Sequence, residues 1–178
     1  MPDTWNARRI LRDIADAETR QKILRAFWRH ADPTTKAIAT AQLAKALHFR
    51  DETIRKMPAE KKSELLASRI AAPEFEQTLE TALMQYHTHE ANAMMAAFLD
   101  RWGVPHVNGS IESDDYKVPS VDAVRSAVKE LDYDRRAVAL YLASAGVLMG
   151  DAWASATFPV VDEVLENVHH KEDEEAEA

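Results

Sequence analysis

Apolar side chains recur at steps of three and four along most of the chain, and no stretch alternates apolar with polar over four to eight residues with β-branched enrichment. This pattern predicts an all-α protein, an irregular bundle of about seven helices. Its longest stretch is Pro73 to Gly103, where Leu83, His87, Ala91, Met94, Phe98 and Trp102 fall on one stripe. Pro73 suits a first helical position, Glu74 and Glu76 place acid in the first turn, and Gly103 with Pro105 supplies a stop. Residues 73–103 are therefore expected to form one central helix of roughly 45 Å.

The first helix is expected to start after Asp3 or Thr4 and to run to about His30. Asp32-Pro33 opens a second helix, which ends near Leu47, and Asp51 is expected to cap a brief third, cut by Pro58. A fourth carries Leu65, Leu66 and Ile70 inward. Beyond the central helix the pattern fails over 104–119, where Pro105, Gly109, Asp114, Asp115 and Pro119 break it; a loop this long is a place to look for a site. Ser120 and Asp134 mark two further helix starts. Arg135 to Met149 is apolar nearly all round, as an interior helix is, and Gly146 within it lets a neighbour come close. The last helix follows Asp151 and is expected to kink or break at Pro159. Residues 169–178 hold acids and no large apolar group and are expected to be a disordered acidic tail.

Length and charge then set the organisation. A chain of 178 residues suits one well-buried core, so a single helical domain over 1–168 is expected, with 169–178 as the tail. Up to Ala71 there are 15 Lys and Arg against 9 Asp and Glu; from Ala72 on there are 7 against 21. The domain thus has a basic part, 1–71, and an acidic part, 72–168. Either the two parts neutralise each other or the basic part meets an acidic partner. The longest run free of ionisable acids and bases, Ala137 to Gly150, is too short to cross a bilayer. No basic start followed by an apolar stretch appears near Met1, so no signal peptide and no membrane association are expected, and a cytoplasmic location is. With no cysteine there is no disulfide, thiolate metal site or thiol nucleophile.

Candidate chemistry is sparse. Four glycines provide neither a dinucleotide fingerprint nor a phosphate loop, and the serine elbow is missing. His87 and Glu90 share a helical face and, with His106 from the loop, form a candidate polar site; no metal, cofactor or catalytic residue is assigned from them. Trp102 and Pro105, where the central helix meets the loop, are a candidate partner surface, the alternative being a staple that fixes where the loop leaves the core. Leu43-Ala44, Leu47, Phe49, Thr53-Ile54 and Met57 resemble the core positions of a helix-turn-helix motif. That resemblance implies nucleic-acid contacts from Lys45, Arg50, Arg55, Lys56, Lys61 and Lys62. His48 stands where the motif usually has a glycine, and Pro58 cuts the second helix short.

These readings lead to a non-catalytic helical protein that acts through a protein partner or through self-association. The alternative is a helix-turn-helix-like nucleic-acid binder using residues 40–62. An acid-base or metal-dependent enzyme centred on His87 and Glu90 ranks third.

Overall fold

A computed structural model describes the backbone of residues 4–176 and the side chains of residues 4–168. The fold is all-α, with no strand among the described residues. Ten α-helices form among the described residues in place of about seven expected: α1 (Ala7–Arg9), α2 (Ala17–His30), α3 (Pro33–Leu47), α4 (Asp51–Arg55), α5 (Ala59–Ala67), α6 (Glu76–His89), α7 (Asn92–Trp102), α8 (Val121–Glu130), α9 (Arg135–Leu148) and α10 (Asp151–Ala176). Among the described residues no helix is long and apolar enough to cross a membrane.

The expected central helix over 73–103 is two helices. Pro73–Phe75 is a 3-10 turn leading into α6, and the chain leaves helical geometry at Glu90 (φ −112°) and Ala91 (φ −122°, ψ 23°) before α7 begins. Thr88, His89 and Asn92 hold a helix weakly, so little opposes the break. The predicted stripe is real in its parts: Leu83 and His87 are buried before the break, Met94 and Phe98 after it. The chain divides into two compact units, Leu83 and His87 falling in the first and Met94 and Phe98 in the second. An N-unit spans Asn6–Glu90, and a C-unit joins the residues up to Trp5 with Ala91–Ala178.

In the N-unit α2 is the hub, packing on α5 and α6, while α1 lies on α6 and α3 on α4. Ile23, Leu24 and Phe27 of α2 are fully buried with Ile10, Leu43, Ile54, Leu66, Phe75 and Leu79. Each such side chain contributes about 1.5–3 kcal/mol. The first helix does not run through to His30. Asn6 caps α1, a π-helical stretch follows over Ile10–Ile14, and Asp16 caps α2 by accepting from the Thr19 N–H at 2.7 Å. The expected cap at Asp3 lies outside the described residues. Asp32 caps α3 as its sequence implies, accepting from the Thr34 and Thr35 N–H groups. At the far end of α3, His48 adopts the left-handed conformation (φ 57°), and the Phe49 N–H donates to the Ala44 carbonyl at 2.9 Å. This is the Schellman closure normally given to glycine. Arg50, with Asp51 already inside the helix, occupies the cap position of α4.

In the C-unit the main pair is α9 on α10, with α8 on α10 and α7 on α8. Val138 to Gly146 form an unbroken buried run. A Cβ at Gly146 would lie 2.7 Å from Thr157 Oγ1 and collide with the Phe158 ring, so α10 reaches this close only because position 146 is glycine. Ser120 and Asp134 cap α8 and α9. Pro159 does not break α10: it is exposed, and Ser155, whose carbonyl it leaves without an intrahelical donor, is exposed too. The tail expected to be disordered from 169 continues α10 as helix through Ala176; residues 177–178 lie outside the described residues. Lys171 to Ala176 are mostly good helix formers, and propagation from an anchored helix is far easier than nucleation.

Candidate functional site

The structure places the candidate residues in three settings. His87 is 3% exposed on the inner face of α6, and burial lowers its pKa from 6.5 to about 4, so it stays neutral in the core. Glu90, three residues on, pairs with Arg29 at 3.5 Å. His106 belongs to the other unit. Its Nε2 lies 3.0 Å from Asp100 Oδ1 and its Nδ1 accepts from the Gly109 N–H at 2.9 Å, an arrangement that selects the Nε2-protonated neutral tautomer. Thus His87 sits in the core of the N-unit, Glu90 in an ion pair of the same unit, and His106 in a loop anchor of the C-unit. Near Glu90 the His30 and His89 rings stack at 4.1 Å, and His30 is held below the usual histidine range by burial and then by His89. No group of three or more His, Asp or Glu among the described residues is placed to hold a metal ion.

The loop over 104–119 is packed against its own unit. Val104 is buried beside Leu99, Ala145 and Trp153, and Ile111, Tyr116 and Val118 pack on the same cluster. The Trp153 N–H donates to the Tyr116 hydroxyl at 3.2 Å. Val107 and Ser110 exchange two backbone hydrogen bonds of 2.9 Å across Asn108 (φ 50°) and Gly109 (φ 85°), a tight turn that the Asn-Gly pair encodes. Trp102 stacks with Tyr141 and meets Phe98 at 5.2 Å and Trp153 at 5.7 Å, while Pro105 is exposed.

The third setting holds the cations. Lys45, Arg50, Arg55, Lys56 and Lys61 are exposed and Lys62 is half-buried. Lys56 pairs with Glu52 at 2.8 Å and Lys61 with Glu64 at 2.9 Å. Lys45, Arg50, Arg55 and Lys62 have no carboxylate within ion-pair distance among the described residues. Most cations elsewhere in the N-unit are engaged, among them Arg8 with Glu76, Arg9 and Arg12 with Asp13, Lys22 with Glu18, and Arg20 with the carbonyls of Leu11 and Ala15. The α4 helix that the helix-turn-helix resemblance would lay in a groove has only five residues and opens with Asp51 and Glu52.

Arg55 and Lys62 share a cavity of about 320 Å³ with Trp28, Lys36, Thr40 and Asp51, contributed by α2, α3, α4 and α5. Lys62 Nζ stands 4.7 Å from the centre of the Trp28 ring. Burial, and then the charge of Lys36, hold the Lys62 ammonium below the usual lysine range. Lys36 donates to the Arg29 carbonyl at 3.2 Å. Trp28 is 6% exposed, and its buried indole N–H meets no acceptor. Sequence reasoning named Arg55 and Lys62 but not Lys36 or Trp28. Pro33, Lys36 and Thr40 do share one face of α3, but that this face looks toward α5 is a tertiary fact.

No family model, curated protein or solved structure matches the chain.

Proposed function

We propose that the protein acts by binding rather than by catalysis, that the α3–α5 face of the N-unit is its working surface, and that its partner is nucleic acid. The observation that carries this reading is the run of cations without a carboxylate partner, Lys45, Arg50, Arg55 and Lys62, on consecutive elements of a unit in which most other cations are ion-paired or hydrogen-bonded. Phosphate oxygens satisfy such cations with release of counterions. Phe49, 47% exposed beside Arg50, adds a ring on which a base can stack. With α4 so short, contact is through phosphates and stacking, and sequence preference is weak.

Fluorescence anisotropy of labelled mixed-sequence DNA, single-stranded and duplex, tests the reading at low and physiological salt. Binding is expected to weaken steeply with salt, and Arg50→Glu with Arg55→Glu to weaken it about tenfold or more, while Lys22→Glu, at an ion-paired position, changes it little. Absence of binding at low salt overturns the reading. Self-association is the second reading, favoured by the charge of the C-unit, where Ala91–Ala178 carries 17 Asp and Glu against 7 Lys and Arg. In that case sedimentation shows a dimer that salt dissociates.

A further inference from the structure

We infer that the cavity bounded by Trp28, Lys36, Arg55 and Lys62 is a binding site for a phosphate monoester. The inference rests on the nucleic-acid reading for the source of its ligand, a terminal phosphate, and on the cavity for its chemistry.

Three cations and the single carboxylate of Asp51 leave the lining with a net charge of +2. A phosphomonoester carries about −1.5 to −2 at neutral pH, so one such group neutralises the cavity, where a diester phosphate does so only by half. The donors are varied in the way a tetrahedral oxyanion uses them. Arg55 offers a planar fork and the two lysines offer ammonium groups from separate helices.

The lysines are also held in place before any ligand arrives. Lys62 lies over the Trp28 ring and Lys36 is tied to the Arg29 carbonyl, so little side-chain freedom remains to be lost on binding. Both face each other's charge in a partly desolvated space, and a bound anion reverses that repulsion. At about 320 Å³ the cavity has room for the phosphate and the first atoms of whatever bears it. Asp51 on the wall disfavours a second phosphate group, which selects a monoester over a diphosphate or triphosphate.

The test is isothermal titration of the full chain with inorganic phosphate and with phenyl phosphate, against acetate at matched ionic strength. Both phosphates are expected to bind and acetate is not. Arg55→Met and Lys62→Met, each on an accessible side chain and checked for folding by circular dichroism, should weaken phosphate about tenfold each, and Lys62→Arg should restore much of the loss. No phosphate binding, or binding that neither substitution changes, overturns the site, whatever DNA does. Oligonucleotides with and without a 5′-phosphate then identify the source. Tighter binding of the 5′-phosphorylated strand, displaced by inorganic phosphate, places a nucleic-acid end in the cavity. Phosphate binding with no difference between the strands assigns the site to a free phosphorylated small molecule.

Discussion

Each unit holds a cavity lined by cations, and the two differ in what those cations already hold. In the C-unit, between α8 and α10, about 410 Å³ is bounded by Arg125, Lys129 and Arg135 over a floor of valines that includes Val128, Val160 and Val164. Arg125 there is clamped by both carboxylate oxygens of Glu163, at 2.7 and 2.9 Å, and by Asp122 at 2.6 Å; Arg135 donates to the Val128 carbonyl. The carboxylates push the Arg125 pKa up still further, and Arg125 draws that of Glu163 down. In the N-unit cavity the corresponding groups, Arg55 and Lys62, have no such partners. Volume favours the first cavity and chemistry the second: a space becomes an anion site when its donors are unengaged.

The comparison breaks most severely at Gly146. Gly146→Leu drives α10 from α9, and α10 supplies Glu163 and three of the lining valines of the C-unit cavity. The loss in urea unfolding is expected to be on the order of 4 kcal/mol, the upper end for overpacking. Acid separates the units next. His87 has a folded pKa of about 4 against 6.5 unfolded, so between these values the unfolded chain binds a proton that the folded N-unit refuses. Its contribution is whole above pH 6.5 and is lost as pH falls toward 4, about 3 kcal/mol in all. His87→Leu should flatten the dependence of N-unit stability on pH over that window, read by denaturant titration at several pH values. The smallest effect is the sharpest test of the contrast. Glu163→Ala together with Asp122→Ala frees Arg125 from both of its carboxylates, and phosphate titrations followed by NMR should then move signals of α8 and α10, with weaker affinity than at the N-unit cavity. If the C-unit cavity stays silent, an unengaged arginine is not what makes the difference.

Much of the fold was legible because local rules carry it. Asp32, Ser120 and Asp134 cap the helices they announce, Gly103 closes α7 in the left-handed conformation, and the apolar run after Arg135 is buried. Gly146 marked a close helix crossing because a glycine within an apolar helix rarely has another use. The break at Glu90–Ala91 was hidden, since the apolar stripe keeps its period across it. Asn108-Gly109 announced a tight turn that went unread because the surrounding residues form no strand pattern. The cation cavity was half legible. Arg55 and Lys62 belong to a basic stretch, but Trp28 of α2 and Lys36 of α3 join them only through tertiary packing.

The residues up to Trp5 belong with the C-unit, and the Trp5 indole N–H donates to Asp162 Oδ1 at 3.2 Å across 157 positions of sequence. The N-unit is contiguous. During synthesis it has all its parts once residue 90 has left the ribosome, whereas Trp5 must wait for α10 before it finds its acceptor. The order of translation therefore dictates an order of folding, with the phosphate cavity assembled while the chain that completes the C-unit is still being made.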